Sequence, residues 1–268
     1  MSDIVQMIIL GVVQGLTEFL PVSSSGHLEL SKYFLGSHFE GGDNLMVTVI
    51  LHIATACSTC VVFRKEIAKL IAGLFDRSGG AESRAYIYKI VISMIPAAFV
   101  GFFFEDAIDV LFEGKYVFVA LMLLVTAALL TAVHFAKKSD GPLSYTKAFI
   151  IGVAQAIAIT PGISRSGSTI ATSLLLNVSR VEAARFSFLM VVPLIFGKVA
   201  KDLLFGMPSL NGLNTTALLA GSVAAFISGI FACKWMVSLV SKVRLFHFAV
   251  YCTIVSISFL IYYYTHQA

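Results

Sequence analysis

Charge is what this sequence has least of. Only 13% of its 268 residues are Asp, Glu, Lys or Arg, against about 25% in an ordinary soluble domain. So few charges cannot cover a water-facing surface, while 58% of the residues are apolar and the mean hydropathy is +0.90. A soluble globular domain is excluded, and lipid is the expected solvent. A large excess of one sign is also missing. The net charge of +4 leaves no footprint for nucleic acid. Cysteine is scarce as well, with only Cys57, Cys60, Cys233 and Cys252. Cys57 and Cys60 form a C-x-x-C, but no second Cys or His pair stands at zinc spacing. They read as small packing residues within an apolar run. The stretch MSDIVQMII has no basic n-region, so no secretory signal peptide is expected.

Long apolar runs fill the space that charge leaves. Six are long enough to cross a bilayer, at about 45–63, 87–104, 116–136, 183–204, 213–233 and 245–264, since a crossing helix needs about 20 residues. Pro96 interrupts the second. Lys198 and Lys201 lie toward one end of the fourth, where long stems can reach the headgroups. Two further apolar regions are broken. Residues 4–35 split at Pro21-Val22-Ser23-Ser24-Ser25-Gly26, and residues 146–178 split at Pro161-Gly162-Ile163-Ser164-Arg165-Ser166-Gly167. Neither arm of either region spans a bilayer alone. Each region is expected to be a re-entrant helix–turn–helix hairpin, whose unwound backbone needs protein or a wet cavity around it.

The two broken regions resemble each other. A shift of 141 residues lays GVVQGLTEFLPVSSSGH (11–27) on GVAQAIAITPGISRSGS (152–168) without a gap. Gly11/Gly152, Val12/Val153, Gln14/Gln155, Ser23/Ser164, Ser25/Ser166 and Gly26/Gly167 are identical. Hydrophobicity does not explain matching glycines and polar residues. Loop charge then sets orientation. Arg64, Lys65, Lys69, Arg77, Arg84 and Lys89, then Lys137, Lys138 and Lys147, then Lys234, Lys242 and Arg244 mark three cytoplasmic loops. Loops 36–44 and 205–212 carry no Lys or Arg, and Lys115 stands among Glu105, Asp106, Asp109 and Glu113, so those three are external.

The expected fold is therefore a single all-α polytopic membrane domain over 1–268 with an inverted-topology repeat: six transmembrane helices plus two re-entrant hairpins. The first repeat occupies 1–136 and the second 144–268, with both termini external. The architecture is that of secondary transporters, whose sites lie where broken segments of the two repeats meet.

Ionisable groups inside membrane segments are costly and usually functional. Glu18, His27 and Arg165 are such groups, and inverted symmetry brings both breaks together. Gln14 and Glu18 are four apart, on one face of a helix. Their oxygens suit a hard cation such as Mg²⁺. Ser24 and His27 are three apart and could meet as nucleophile and general acid–base. Arg165 stands just before a helical arm, where a guanidinium and free backbone N–H groups suit phosphate oxygens. Ser23, Ser25, Gly26, Ser164, Ser166, Gly167 and Thr169 complete the two turns expected to surround a diphosphate. His52, His134 and His247 lie on ordinary spans and read as packing or interfacial residues. Lys198 and Lys201 read as headgroup contacts.

These motifs, Gln14-Gly15-Leu16-Thr17-Glu18-Phe19-Leu20-Pro21-Val22-Ser23-Ser24-Ser25-Gly26-His27 and Pro161-Gly162-Ile163-Ser164-Arg165-Ser166-Gly167-Ser168-Thr169, resemble those of the undecaprenyl-diphosphate phosphatases, or bacitracin-resistance proteins. The resemblance covers nearly the whole chain. It implies hydrolysis of undecaprenyl diphosphate to the monophosphate, which is the lipid carrier of peptidoglycan synthesis. It also implies a divalent cation (Mg²⁺, with Ca²⁺ possible), a bacterial inner-membrane location and a site opening to the external face. The family's acidic pair falls on Gln14 and Glu18, its serine on Ser24, its histidine on His27, its arginine on Arg165 and a further phosphate-side serine on Ser164. The first acidic position is Glu or Gln in the family, so Gln14 leaves Glu18 as the main metal ligand. Ser24, another serine or water remains open as the attacking group, and a homodimer is a possible assembly.

A transporter or flippase of polyprenyl phosphate is the alternative on the same architecture, which alone says little about function. It would not need Ser24 beside His27. The other lipid-phosphatase superfamily expects Ser-Arg followed by His and then Asp. After Ser164-Arg165 this chain reads SGSTIATSLL, so that family is excluded.

Overall fold

A computed structural model describes residues 2–36, 42–76, 79–112, 114–136, 140–205, 214–240 and 245–267. Among them the chain is all-α, with no strand. The first broken region forms α1 (Asp3–Phe19) and α2 (Ser24–Leu35). The second forms α8 (Tyr145–Ile157) and α9 (Arg165–Leu175). The six expected crossings are α3 (Gly42–Val62), α5 (Ala81–Phe103), α7 (Tyr116–His134), α10 (Arg180–Phe205), α11 (Thr215–Val240) and α12 (Phe246–Gln267). All but α3 are long and apolar enough to cross a membrane by themselves. α3 passes that test jointly with α4 (Arg64–Phe75), from which it bends by 77°. Pro96 and Pro193 lie inside α5 and α10 without ending them. These are plainly the helices of a polytopic membrane protein.

Two helices stand where loops were expected. α4 fills part of 64–89, and α6 (Glu105–Phe112) fills part of 105–115. Ile67, Leu70, Ile71 and Leu74 of α4 recur at helical spacing, and a short amphipathic helix of this kind lies along an interface rather than across it. The positions Arg77, Glu113, Lys137, Lys138, Lys242 and Arg244, most of loops 36–44 and 205–212, and the side chains of Glu105, Asp106, Asp109 and Lys198 lie outside the described residues. Lys201 places its ammonium 5.3 Å from the Phe102 ring centre.

Small residues let the helices approach. Without a hydrophobic drive between helices in lipid, close backbone packing is a main source of association. The most extensive contact joins α1 to α11. There a Cβ on Gly15 would fall 2.6 Å from the Ala225 carbonyl oxygen and 2.8 Å from the Gly229 nitrogen. Gly11 stands against the Gly221 backbone in the same way. α8 packs on α5, where Gly152 meets the Ser93 backbone. The first arm of each hairpin thus lies on the middle crossing of the opposite half.

Two pairs of corresponding crossings, α3 with α10 and α7 with α12, run antiparallel. Phe63, just past the C-terminal end of α3, has its ring centre 6.1 Å from that of Phe188, near the N-terminal end of α10. His134 at the end of α7 lies 5.1 Å from Phe246 at the start of α12. Further along, Ser256 of α12 donates to the Ala120 carbonyl of α7 at 2.6 Å. The open ends of the hairpins face opposite ways. Tyr33 near the end of α2 packs on Tyr116 at the start of α7 and Tyr263 near the end of α12. Tyr145, opening α8, lies under Lys89 near the start of α5, with the ammonium 5.5 Å from its ring centre.

Candidate active site

The breaks of the two hairpins touch. A Cβ on Gly26 would lie 3.2 Å from the Gly162 Cα, and one on Gly167 would lie 3.4 Å from the Pro21 Cβ. The same 141-residue shift that aligns the motifs exchanges these two contacts. Both turns are closed alike. Ser23 accepts from the Gly26 amide at 3.2 Å and Ser164 from the Gly167 amide at 3.0 Å, so each caps the helix it precedes. Ser25 lies 3.3 Å from the Ser23 hydroxyl, and Ser166 lies 3.4 Å from that of Ser164. Ser166 also donates to the Leu20 carbonyl at 3.0 Å, stitching the second turn to the first. Thr126 of α7 braces the second turn by accepting from the Ser164 amide at 2.9 Å and donating to the Gly162 carbonyl at 3.0 Å.

Glu18 is the hub. Its side chain is only 6% exposed, and the 14% exposed guanidinium of Arg165 pairs with its Oε1 across the hairpins. Its Oε2 accepts from the Ser24 hydroxyl at 2.7 Å and from the Gln14 amide at 3.0 Å. The Nε2 of His52, on α3, stands 3.5 Å from the same oxygen. Burying these charges is tolerable only because they pair and bond so fully. Arg165 is fixed in turn by donating to the Ser187 carbonyl at 3.1 Å.

The structure brings Gln14, Glu18, Ser24 and Arg165 into one cluster, but one expected partnership is absent. Ser24 does not pair with His27. Its hydroxyl donates to Glu18, which lies one helix back across the turn. His27 turns away instead, with Nδ1 2.8 Å from the Ser23 carbonyl and Nε2 2.9 Å from the Tyr251 hydroxyl. The Nδ1 contact to the carbonyl four residues back is a local one, made equally by His52 to the Thr48 carbonyl at 2.7 Å, while Ser23 itself takes the left-handed φ of 72°. That conformation is costly for a residue with a side chain and recurs at functional sites. Thr169 is also placed differently from the expectation. It is wholly buried, with its hydroxyl 2.7 Å from that of Ser187. It underpins the helix that carries Arg165 instead of facing outward. The hydroxyls of Ser23, Ser164 and Ser166 are similarly engaged in holding the turns.

His52, expected as a packing or interfacial residue, and Tyr251 also touch the cluster. His52 had a visible signal, because Thr48, His52 and Thr55 form a polar stripe along one face of an apolar helix. Thr55 lies 3.4 Å from the Gln14 amide nitrogen. Tyr251 had none, being a single aromatic residue in an apolar crossing.

Among the described residues no cluster of three His, Cys, Asp or Glu side chains could hold a metal. The oxygen donors are fewer but present. Gln14 Oε1 is buried with no hydrogen-bond partner, next to the Glu18 carboxylate. Two protein oxygens suit Mg²⁺, which keeps several waters and takes further oxygens from a substrate phosphate.

The sequence that forms these turns has relatives among known proteins. The undecaprenyl-diphosphatase of Christiangramia forsetii is 52% identical over 98% of this chain and 99% of its own. That of Bacteroides fragilis is 47% identical over 94% and 95%, and that of Bacteroides thetaiotaomicron is 45% identical over 96% and 97%. The family profile described as bacitracin resistance protein BacA matches residues 7–258, and with it the chain belongs to that family.

Proposed function

We infer that this chain hydrolyses undecaprenyl diphosphate to undecaprenyl monophosphate and inorganic phosphate, and so confers bacitracin resistance by returning the lipid carrier to use. The single observation that carries the mechanism is that one buried carboxylate, Glu18, holds both the Ser24 hydroxyl and the Arg165 guanidinium. A diphosphate is a better bidentate partner for a guanidinium than one carboxylate oxygen. As the substrate's terminal phosphate takes over Arg165, Glu18 loses its main counter-charge and becomes the base for Ser24. Ser24 Oγ then attacks the terminal phosphorus, its proton passes to Glu18, and the bridging P–O bond breaks to leave undecaprenyl monophosphate. Water next hydrolyses the phosphoserine and releases inorganic phosphate. The alternative of direct attack by water uses the same base and the same guanidinium. His27, through Nε2, takes the proton of the water that hydrolyses the phosphoserine, and Glu18 returns its own proton to Ser24.

Gln14 Oε1 and Glu18 would hold a divalent cation, Mg²⁺ or Ca²⁺. When bound, it would neutralise charge on the diphosphate oxygens. Arg165 and the two converging helix N-termini orient the same oxygens.

The membrane placement has its own support. Arg64, Lys65, Lys69, Arg84, Lys89, Lys147, Arg180 and Arg185 gather where α3 ends and α5, α8 and α10 begin. Tyr33, Tyr116, Tyr262 and Tyr263 cluster at the opposite end. Positive residues mark the cytoplasmic face, and aromatic rings favour an interface. We therefore place the chain in the cytoplasmic (inner) membrane as two inverted halves. The first hairpin enters from the external side, the second from the inside, and the site opens outward.

Phosphate release from a polyprenyl diphosphate by the purified protein in detergent tests the reading. Ser24→Ala and Glu18→Gln should each lower kcat by about 10³-fold while substrate binding persists. Release at the wild-type rate by Ser24→Ala would remove serine as the nucleophile. Release at that rate by Glu18→Gln would remove the base. Wild-type protein that binds the lipid without releasing phosphate would favour a carrier of polyprenyl phosphate over an enzyme.

A further inference from the structure

His27 is held from both sides, and the two sides differ. Nδ1 faces the Ser23 carbonyl at 2.8 Å, and a carbonyl oxygen can only accept. In the neutral ring Nδ1 therefore carries the proton, and Nε2 carries the lone pair. Nε2 lies 2.9 Å from the Tyr251 hydroxyl, which must then donate to it. The two rings are also stacked, with centres 5.5 Å apart and planes within 7°. The Ser23 side of the imidazole is turned into protein, since Ser23 is only 2% exposed, whereas Tyr251 is 43% exposed. The reachable nitrogen of His27 is the one Tyr251 covers.

Tyr251 comes from α12, the last crossing, far in sequence from the hairpin it touches. The same helix grips that hairpin again one residue on. Cys252 is fully buried and its thiol lies 4.0 Å from the Pro21 and Val22 carbonyls of the first turn. The tyrosine is thus anchored to the turn independently of its bond to His27.

We propose that Tyr251 is a positioning residue for the reaction, fixing the plane of the His27 ring and presenting Nε2, not Nδ1, to the reacting water. The inference rests on the phosphatase reading. It adds that a residue outside both hairpin motifs holds the ring whose reachable nitrogen exchanges the proton. The water that hydrolyses the phosphoserine arrives at Nε2 as a donor and displaces the tyrosine hydroxyl, which moves aside while its ring keeps the stack. The stack holds the imidazole in place during that exchange.

Two measurements on the full chain test this. The first uses ¹⁵N-histidine-labelled protein in lipid bilayers, with His27→Asn identifying the His27 signals. Wild-type His27 should show a protonated Nδ1 and an unprotonated Nε2. Tyr251→Phe keeps the stack and removes the donor, so it should move the Nε2 resonance and leave Nδ1 bonded. A protonated Nε2 in the neutral wild-type ring, or no change on Tyr251→Phe, would overturn the proposal. This arm stands whether or not the protein releases phosphate.

The second is the split between kcat and KM for a polyprenyl diphosphate. Tyr251→Phe should lower kcat about fivefold, the worth of one neutral hydrogen bond, with KM within about twofold. Tyr251→Leu loses the stack too and should lose about tenfold more. Equal loss in both variants, with KM raised and kcat kept, would make Tyr251 a binding residue and refute the positioning role.

Discussion

Arg165→Ala removes the one guanidinium that neutralises Glu18, and the structure gives both the stability and the rate consequence. Glu18 and Arg165 are 6% and 14% exposed at their side chains. Breaking such a pair from one side leaves a buried charge uncompensated and costs about 3–5 kcal/mol. At about 2–4 °C per kcal/mol for a chain of this size, the melting midpoint in detergent should fall by about 6–20 °C. Adding Glu18→Gln removes the orphaned charge, and the double variant should regain most of that loss. Turnover behaves differently. The diphosphate loses its fixed counter-charge in both variants, so phosphate release should be abolished in Arg165→Ala and stay abolished in the double variant. Arg165→Lys should recover little rate, because an ammonium cannot bind bidentately. Thermal unfolding and phosphate release on the same preparations separate the two effects. An Arg165→Ala protein that melts like wild type and turns over at more than about a tenth of its rate would refute both the pairing and the role of the guanidinium. A double variant no more stable than Arg165→Ala would refute the electrostatic account of the stability loss.

Three further outcomes follow from the geometry. Gly15→Ala puts a Cβ 2.6 Å from the Ala225 carbonyl, against backbone that cannot swing aside, so α1 must separate from α11. A loss of about 1–3 kcal/mol is expected for such overpacking, read as a lower melting midpoint, while Gly36→Ala, with open space around it but a φ of 61°, should cost only about 1 kcal/mol. EDTA should stop phosphate release and added Mg²⁺ or Ca²⁺ should restore it, with Gln14→Leu raising the Mg²⁺ concentration needed for half-maximal activity. His52→Gln should lower kcat by about three- to tenfold, the scale of a partner 3.5 Å from the Glu18 oxygen in a partly screened setting, and unchanged kinetics would return His52 to a packing role.

The helices that sequence reading found are those whose apolar length or whose breaks announce themselves. α5, α7, α10, α11 and α12 all begin and end within a few residues of the expected crossings, apart from the earlier start of α5 at Ala81 and the extension of α11 to Val240. α4 and α6 went unseen because short amphipathic helices among charges look like loops when periodicity is judged against a spanning length. The cluster of Gln14, Glu18, Ser24 and Arg165 was legible because charges and serines in broken apolar runs have no ordinary packing reason to be there. The partner of Ser24 was not. Helical spacing puts His27 within reach, but it does not decide between competing partners, and Ser24 bonds the Glu18 carboxylate while His27 meets the Ser23 carbonyl and the Tyr251 hydroxyl.

The sequence by itself determined the solvent, the number of crossings, the places where they break and the groups that must share a site, since each follows from composition and local spacing along one chain. Only the tertiary structure decided which atoms meet: Ser24 with Glu18, His52 with the same carboxylate, and Tyr251 with His27. Those contacts join residues brought together by the packing of separate helices or by the turn between α1 and α2. No periodicity within a single segment encodes either.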